Sequence, residues 1–274
     1  MAFDGKTRLA ALIGRPVGHS MSPAIHNAAF AALGLNWAYV AFDVAPENLT
    51  QALGSVRVLG IGGLSVTMPH KAGVASLVDD PSPSVQALGA CNTVVSSADG
   101  RLRGENTDGD GLIDSLEAGN QPVAGRRVVI FGAGGSGRSV AEAFGRRGAA
   151  DVAIVNRTPT PAVTAAGLAG SVGRVGTVGD VSAADIIVNS TSLGMGDSGS
   201  VPFDVSLLQP HHVVVDAVYQ PLVTPLLAAA ATTGCRTFDG LGMLVYQAAR
   251  QFTLWTGHDA PIDVMLAAVR RSLG

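Results

Sequence analysis

The chain has 274 residues, of which 47% are hydrophobic and only 14% are charged. These values exclude a disordered protein and allow one large or two medium domains with a substantial core. A net charge of −3 argues against nucleic acid or an anionic membrane as a partner. The two cysteines form neither a disulfide framework nor a metal cluster. Because no signal peptide or membrane-spanning run is recognisable either, we expect a cytoplasmic protein.

The N-terminal half alternates predicted strands with predicted helices. Ser22 is expected to cap the first helix, with Pro23 at its first position and Gly34 just past its end. The dipeptide Asp99-Gly100 predicts a hairpin turn. Strands are expected at 9–13, 39–42, 64–67, 92–95 and 101–104, and helices at 23–33, 46–53 and 68–77. This alternation predicts an α/β domain.

The most informative stretch is 128–144, which reads as a buried strand, a glycine turn and a helix. Its glycines have the G-x-G-x-x-G spacing of a dinucleotide site. Gly132 permits the tight turn, Gly134 lets backbone N–H groups approach a pyrophosphate, and Gly137 lets the helix pack close to the strand. The N-terminus of the helix then offers N–H donors to the anion. The residues expected at the cofactor here are Gly132, Ala133, Gly134, Gly135 and Ser136.

The next strand, predicted at 151–155, ends in Asn156-Arg157-Thr158. An acidic residue at this position would accept a hydrogen bond from the ribose 2′-OH of NAD, whereas a guanidinium suits the 2′-phosphate of NADP. The alternative is an ordinary surface arginine. Further strands are expected at 186–189 and 213–218, and the helices at 244–252 and 261–273 are expected to pack back onto the first domain. The sequence therefore predicts an NADP-type α/β domain.

Candidate catalytic groups lie at the ends of predicted strands, where ligands gather in open α/β sheets. Lys71 follows one such strand, although a lysine lying along a helix surface would look the same. Asp108 stands near a helix start, where a capping role is equally natural. Ser20 is not explained by capping and could bind an anion. His19, His26 and His70 stand singly without metal-ligand spacing, so no metal site is expected.

Taken together, the sequence resembles the shikimate dehydrogenases. The resemblance begins with GRPVGHSMSP at 14–23 and continues with VTMPHK at 66–71 and GENTDG at 104–109. Five further motifs complete the set in order, at 89–93, 156–158, 189–195, 216–225 and 242–247. Eight motifs in one order along most of the chain make a specific signature.

The resemblance implies reversible, NADPH-dependent reduction of 3-dehydroshikimate to shikimate, in aromatic amino-acid biosynthesis. It implies a three-layer α/β substrate domain, 1–111 and 243–274, and a Rossmann-type doubly wound NADP domain, 112–242. Lys71 and Asp108 would be the catalytic pair. The implied substrate ligands are Ser20 and Ser22 for the carboxylate, with Tyr219 bordering the site near it. The implied ligands of the ring hydroxyls are Ser65, Thr67, Asn92, Asp108 and Gln247. The cofactor contacts would extend to Asn156, Arg157, Thr158, Thr191 and Gly240.

Two departures from the family pattern leave alternatives open. The lysine motif of the family commonly begins with Asn, where this chain has Ser65, and Pro159-Thr160-Pro161 supplies no second basic residue after Arg157. A quinate/shikimate or aminoshikimate dehydrogenase with relaxed NAD/NADP preference is the nearer alternative. The more distant one is a non-catalytic NADP-binding sensor. We expect a monomer or homodimer.

Overall fold

The computed structural model describes residues 3–196 and 199–273. The strands are β1 Arg8–Gly14, β2 Trp37–Asp43, β3 Gly63–Val66, β4 Asp80–Pro81, β5 Thr93–Ser96, β6 Leu102–Glu105, β7 Arg127–Phe131, β8 Asp151–Val155, β9 Gly173–Val175, β10 Ile186–Asn189, β11 Val213–Asp216 and β12 Arg236–Phe238. The helices are α1 Ser22–Ala32, α2 Leu49–Val58, α3 Lys71–Leu77, α4 Pro83–Leu88, α5 Asp108–Ala118, α6 Gly135–Arg146, α7 Pro159–Leu168, α8 Pro225–Thr233, α9 Gly240–Thr256 and α10 Ile262–Ser272. Across the described residues, none of these helices combines the length and apolarity needed to cross a membrane.

The chain divides into two compact units. The first unit extends to Thr107 and resumes at Val245, and the second unit runs from Asp108 to Leu244. The boundaries drawn from sequence, after residues 111 and 242, fall within α5 and α9. The structural division instead assigns α5 from its first residue to the second unit.

The first unit contains a mixed six-stranded sheet with the strand order β2-β1-β3-β5-β6-β4. β1 pairs in parallel with β2 and β3, whereas β5 pairs antiparallel with β3 and β6. The β5–β6 hairpin turns at the predicted position. Helix α10 packs against α1, so the expectation that the C-terminal helices return to the first domain is confirmed.

The second unit is built on an entirely parallel sheet with the order β12-β11-β10-β7-β8-β9. Read from β9, the strands follow the 3-2-1-4-5-6 order of a Rossmann fold, as predicted. Side chains of β7 alternate between two cores. Val128 and Ile130 face α5 and α6, whereas Val129 and Phe131 pack with α8 on the opposite face. Both faces of the sheet are therefore buried, which is why its strands are continuously apolar.

Several helix ends differ from the bounds predicted from the sequence. Helix α2 spans Leu49–Val58 rather than 46–53, α3 begins at Lys71 rather than at 68, and α9 spans Gly240–Thr256 rather than 244–252.

The caps of α8 and α1 contrast with each other. The Thr224 hydroxyl accepts the Leu227 N–H and caps α8, and Gly234 ends that helix with φ of 86°. Ser22, in contrast, is not the N-cap of α1 but its first residue. Met21 already has helical dihedrals and there is no side-chain cap. The expected capping role of Ser22 is therefore wrong.

Candidate active site

The two catalytic candidates each begin a helix. Lys71 is the half-buried first residue of α3, and its carbonyl oxygen accepts the Cys91 N–H at 2.9 Å. Asp108 is the buried first residue of α5, where the helix dipole favours a carboxylate. The following residue, Gly109, donates its N–H to Ser139 Oγ at 2.9 Å, which fastens the start of α5 to α6. Lys71 and Asp108 belong to different units, so their pairing remains a prediction.

Ser20 lies in the loop between β1 and α1, and Ser22 is the first residue of α1. Their local roles are the reverse of those expected. Ser20 Oγ accepts the Ser22 N–H at 3.2 Å, so Ser20 stabilises the first turn of α1. The Ser22 hydroxyl is therefore not required for capping, and it interacts with buried Tyr39. Burial raises the pKa of Tyr39 far above its usual value, so its phenol stays protonated and can donate one hydrogen bond.

Tyr39 is the first member of a buried chain of hydrogen bonds in the first unit. Its hydroxyl donates to Ser65 Oγ at 2.7 Å, and the Ser65 hydroxyl donates to Gln251 Oε1 at 2.8 Å. A serine has a single hydroxyl proton. Because Ser65 gives this proton to Gln251, its oxygen is left only with acceptor capacity towards a substrate hydroxyl.

The chain continues from Gln251 along β5. Gln251 Nε2 donates to Thr93 Oγ1 at 3.0 Å, and Thr93 Oγ1 donates to Asn92 Oδ1 at 2.7 Å. Asn92 Nδ2 donates to Thr107 Oγ1 at 3.0 Å, while the Thr107 N–H returns to Asn92 Oδ1 at 2.9 Å. We call this set the hydrogen-bond relay; its members are Tyr39, Ser65, Gln251, Thr93, Asn92 and Thr107.

Two further substrate candidates flank the relay. Thr67 follows β3, and its N–H donates to the Ile13 carbonyl at 2.9 Å. A Cβ at Gly14 would come within 2.2 Å of Thr67 Cγ2, so only glycine at position 14 lets this side chain approach β1. Gln247 is half-buried on α9, four residues before Gln251 and so on the same helix face. The first unit thus links Ser65 and Asn92 through the relay and places Thr67 directly after β3, the strand that carries Ser65.

His26 lies completely buried against the relay. Its ring stacks on Tyr39 with a centroid distance of 4.5 Å, and Trp255 packs against the same ring. Neither ring nitrogen has a hydrogen-bond partner among the described residues. Burial lowers the pKa of His26 to about 3. The imidazole is therefore neutral at physiological pH.

The glycine turn of the second unit has the geometry expected from its sequence. Gly132 has φ of 100°, and a Cβ at Gly137 would lie 2.2 Å from the Gly132 carbonyl oxygen. These two glycines are thus required by the chain itself. Gly134 is different, because a Cβ there would meet nothing within 4 Å. Gly134, Gly135 and Ser136 are exposed, and α6 has no side-chain cap. This open space beside free helix N–H groups fits a pyrophosphate.

A cavity of about 540 Å³ lies beside this turn. The prediction selected five of its lining residues, Gly132, Asn156, Arg157, Thr158 and Thr191. The other five lining residues are not predicted from the sequence: Phe131, Val155, Ser192, Leu193 and Pro202. Asn156 also has a structural role: its Oδ1 accepts the Ala133 N–H at 3.1 Å and its Nδ2 donates to the Thr158 carbonyl. The Ala133 N–H is therefore already used within the protein.

A buried polar cluster at the carboxyl ends of β10 and β11 was missed by sequence reasoning. Asp216 is fully buried, and burial raises its pKa. Its carboxylate accepts hydrogen bonds from Asn189 Nδ2 at 3.0 Å and Thr224 Oγ1 at 2.7 Å. Asn189 Oδ1 in turn accepts the Thr191 hydroxyl at 2.7 Å, which orients a residue of the cavity. The motifs 189–195 and 216–225 contain these residues, but nothing in their spacing predicts that they meet.

The last two candidates lie near the end of the second unit. Tyr219 is half-buried in the loop after β11, where the Val218 N–H donates to Asp216 Oδ1. Gly240 begins α9, and a Cβ there would lie 2.5 Å from the Ala217 carbonyl oxygen. Glycine at position 240 therefore lets α9 approach this loop. No group of three potential metal ligands occurs within residues 3–196 and 199–273.

Two family models match the chain. The shikimate dehydrogenase substrate binding domain matches residues 12–94, and the shikimate 5′-dehydrogenase C-terminal domain matches residues 240–270. The first match contains the end of β1, the whole of β2 and β3, and part of the relay, and the second contains α9 with Gln251.

Similar proteins match over nearly the whole chain. A shikimate dehydrogenase (NADP(+)) from Moorella thermoacetica is 46% identical, over 98% of this chain and 94% of the relative. Shikimate 5-dehydrogenase from Thermus thermophilus, solved with NADP(H) and shikimate, is 37% identical over 97% of this chain and 99% of that chain, with a TM-score of 0.90. Quinate dehydrogenase from Corynebacterium glutamicum, solved with NAD, is 34% identical over the same shares, 97% and 99%, with a TM-score of 0.90. Identity of this extent over full-length relatives shows that the chain belongs to the shikimate dehydrogenase family.

Proposed function

We propose that this chain, an NADP-dependent oxidoreductase of the shikimate dehydrogenase family, reversibly reduces 3-dehydroshikimate to shikimate in aromatic amino-acid biosynthesis. The first unit would bind the ring, because the substrate-binding family model matches residues 12–94 within it. The second unit would bind NADP on its Rossmann sheet.

The cavity beside the glycine turn is the observation that carries the proposal. Its lining includes Gly132 of the glycine turn and Arg157, and no acidic residue is present among the described residues that line it. NADP bears a pyrophosphate and a 2′-phosphate, which call for backbone N–H donors and a cation. An NAD site would instead present a carboxylate to the ribose.

The cofactor residues would act at two places. The N–H groups of Gly135 and Ser136 would bind the pyrophosphate over the open position at Gly134. Arg157 and Thr158 would bind the 2′-phosphate, while Asn156 holds the turn to the loop after β8. Thr191 and Gly240 would border the bound cofactor. When bound, NADPH supplies the hydride.

The substrate residues offer neutral hydroxyl and amide groups, which suit a polyhydroxylated ring. Ser20 and Ser22 would donate hydrogen bonds to the carboxylate, and Tyr219 would border it. Thr67, Asn92 and Gln247 would bind ring hydroxyls, with Ser65 acting as an acceptor.

Lys71 and Asp108 would perform the proton chemistry. As the ring carbonyl is reduced, negative charge develops on its oxygen, and an ammonium at Lys71 Nζ would stabilise this charge and deliver a proton. In the reverse direction Lys71 Nζ would accept the proton of the ring hydroxyl. Asp108 would orient the ammonium and bind a ring hydroxyl.

Four parallel assays test the proposal, with shikimate or quinate against NADP or NAD, followed as absorbance at the nicotinamide band. Fast reduction of the cofactor with shikimate and NADP is the expected result. Absence of turnover in all four assays would reject the proposed function and favour a cofactor-binding sensor.

A quinate/shikimate dehydrogenase is the second candidate. Two observations favour it: Ser65 directs its proton to Gln251, and the exposed Pro159-Thr160 after Thr158 offers no further cation for the 2′-phosphate. Comparable rates with quinate or NAD would select this candidate. In either case we propose a cytoplasmic enzyme that acts as a monomer or homodimer.

A further inference from the structure

Gln251 links α9 to two strands of the first unit. Its Oε1 accepts the Ser65 hydroxyl and its Nε2 donates to Thr93 Oγ1. Ser65 and Thr93 are direct partners in the antiparallel β3–β5 pair, so one amide group bridges one cross-strand pair. Gln251 is only 2% exposed. A buried amide that is hydrogen-bonded at both ends restricts the orientation of its partners, and they restrict its orientation in turn.

The relay has one consistent direction. Thr93 accepts from Gln251 and therefore gives its own proton to Asn92 Oδ1. The Thr107 N–H, a backbone donor that cannot be reversed, reaches the same oxygen. Asn92 Nδ2 must then face Thr107 Oγ1. The orientation of the Gln251 amide and that of the Asn92 amide are thus coupled through a single hydroxyl group.

We propose that Gln251 is a positioning residue of the substrate site, acting on Asn92 through Thr93 and directly on Ser65. This inference rests on the proposed function, in which Asn92 and Ser65 contact ring hydroxyls. Without Gln251, the Thr93 proton is no longer directed to Asn92 Oδ1, and the Ser65 hydroxyl becomes a donor towards the ring. Neither Asn92 nor Ser65 transfers the reacting proton, so the effect falls on the KM for shikimate rather than on kcat.

Two single variants and their combination test the proposal. Gln251→Met keeps the length of the side chain but removes both hydrogen-bonding ends, and Thr93→Val breaks the next link while Gln251 stays in place. Each is expected to raise the KM for shikimate about tenfold, with kcat changed by less than about threefold and the KM for NADP unchanged. The double variant is expected to match the single variants, because both substitutions break the same relay.

Trp255→Phe is the matched control. It removes another buried hydrogen bond from α9 to β5, the Trp255 Nε1 bond to the Val94 carbonyl at 3.0 Å, which lies outside the relay. Trp255→Phe is expected to lower Tm and to leave the KM for shikimate unchanged. If the two relay variants also lower Tm without changing this KM, Gln251 is merely structural and the inference is wrong.

The proposed function and the role of Gln251 can be rejected separately. Wild-type protein that does not oxidise shikimate rejects the proposed function and this inference with it. Active wild-type protein, together with relay variants of unchanged KM, rejects the inference alone. Should Gln251→Met not accumulate as folded protein, Thr93→Val decides the question by the same measurement.

Discussion

The polar groups of the relay and those of the glycine turn are arranged in opposite ways. Relay side chains are at most 4% exposed and bond to one another, across as many as 186 positions of sequence. At the glycine turn, Gly134, Gly135 and Ser136 are exposed, and so is Arg157. One site is closed and supported from several elements, and the other is open and formed by neighbouring segments of chain.

The difference follows from what each site would bind. The uncharged hydroxyl groups of the ring are distinguished by the direction of hydrogen bonds, and direction requires side chains that cannot rotate. An anionic cofactor is held by N–H donors and a cation, which act through exposed groups on a rigid turn. Substitutions in the relay should therefore alter both stability and recognition, whereas substitutions at the exposed turn should alter binding alone.

Replacing Lys71 should have the largest effect of the substitutions considered. It tests whether the first unit supplies chemistry as well as recognition. Lys71→Met is expected to lower kcat by about 10²–10⁴-fold, since it removes both the proton donor and the charge that stabilises the developing alkoxide. The KM for NADP and the Tm should not change. Steady-state kinetics and thermal unfolding measure these quantities. Lys6→Met, at an exposed lysine of the same unit, is the control, and undiminished turnover in Lys71→Met would exclude Lys71 from the mechanism.

Two glycines of the glycine turn are expected to differ in role: one is required by the fold, and the other leaves space for the cofactor. A Cβ at Gly137 would lie 2.2 Å from the Gly132 carbonyl oxygen, so Gly137→Ala is expected to lower the free energy of unfolding by about 1–3 kcal/mol. Gly134 has φ of −74° and open space around it, so Gly134→Ala should change that free energy by less than about 0.5 kcal/mol.

Cofactor affinity, unlike stability, should respond to the substitution at Gly134. The methyl group of Gly134→Ala would occupy the space proposed for the pyrophosphate and raise the KM for NADP. Urea unfolding and cofactor titration measure the two effects. Equal losses of stability in both variants would contradict the assignment of Gly134 to the cofactor.

The same contrast explains how far the sequence could predict the site. The glycine turn and Arg157 lie on consecutive elements of one βαβ unit, so spacing alone predicts that they face one ligand. The relay could not be found this way, because Gln251 stands on α9 and its partners on β3 and β5. No periodicity connects these positions. Only tertiary packing places them together.

The fold was more predictable than the details at its helix ends. Continuous apolar strands and alternating helices indicate a parallel sheet whatever the exact contacts. The roles of Ser20 and Ser22 depend instead on the backbone conformation of one residue. Met21 is helical, so Ser20 rather than Ser22 accepts the first N–H. The bonds of Asp216 to Asn189 and Thr224 likewise depend on two loops meeting at one sheet edge.

Arg157 tests whether the open site discriminates between cofactors. Arg157→Ala is expected to raise the KM for NADP by about 10–100-fold, because a charged hydrogen-bond partner of the 2′-phosphate is lost. The KM for NAD should not change, since NAD has no phosphate at that position. Steady-state kinetics with both cofactors measure the ratio of the KM for NADP to the KM for NAD. Arg271→Ala, at an exposed arginine on α10, is the control. An equal change for NAD and NADP would show that Arg157 is an ordinary surface residue.

The smallest expected effect is on the pH dependence of stability, which a substitution of buried His26 beside the relay would change. Its pKa is about 3 in the folded protein and 6.5 in a model compound, so below pH 6.5 the unfolded chain binds a proton that the folded chain does not. Stability is therefore fully present above pH 6.5 and falls as the pH is lowered. Between pH 6.5 and 5, wild-type protein should lose about 1.5 kcal/mol more than His26→Phe, which keeps an aromatic ring against Tyr39. Urea unfolding at several pH values measures the difference, and His258→Phe, at an exposed histidine, should follow wild type. If the free energy of unfolding of wild type and of His26→Phe changed in parallel with pH, water would reach the imidazole. The relay beside His26 would then not be the closed arrangement on which the role of Gln251 depends.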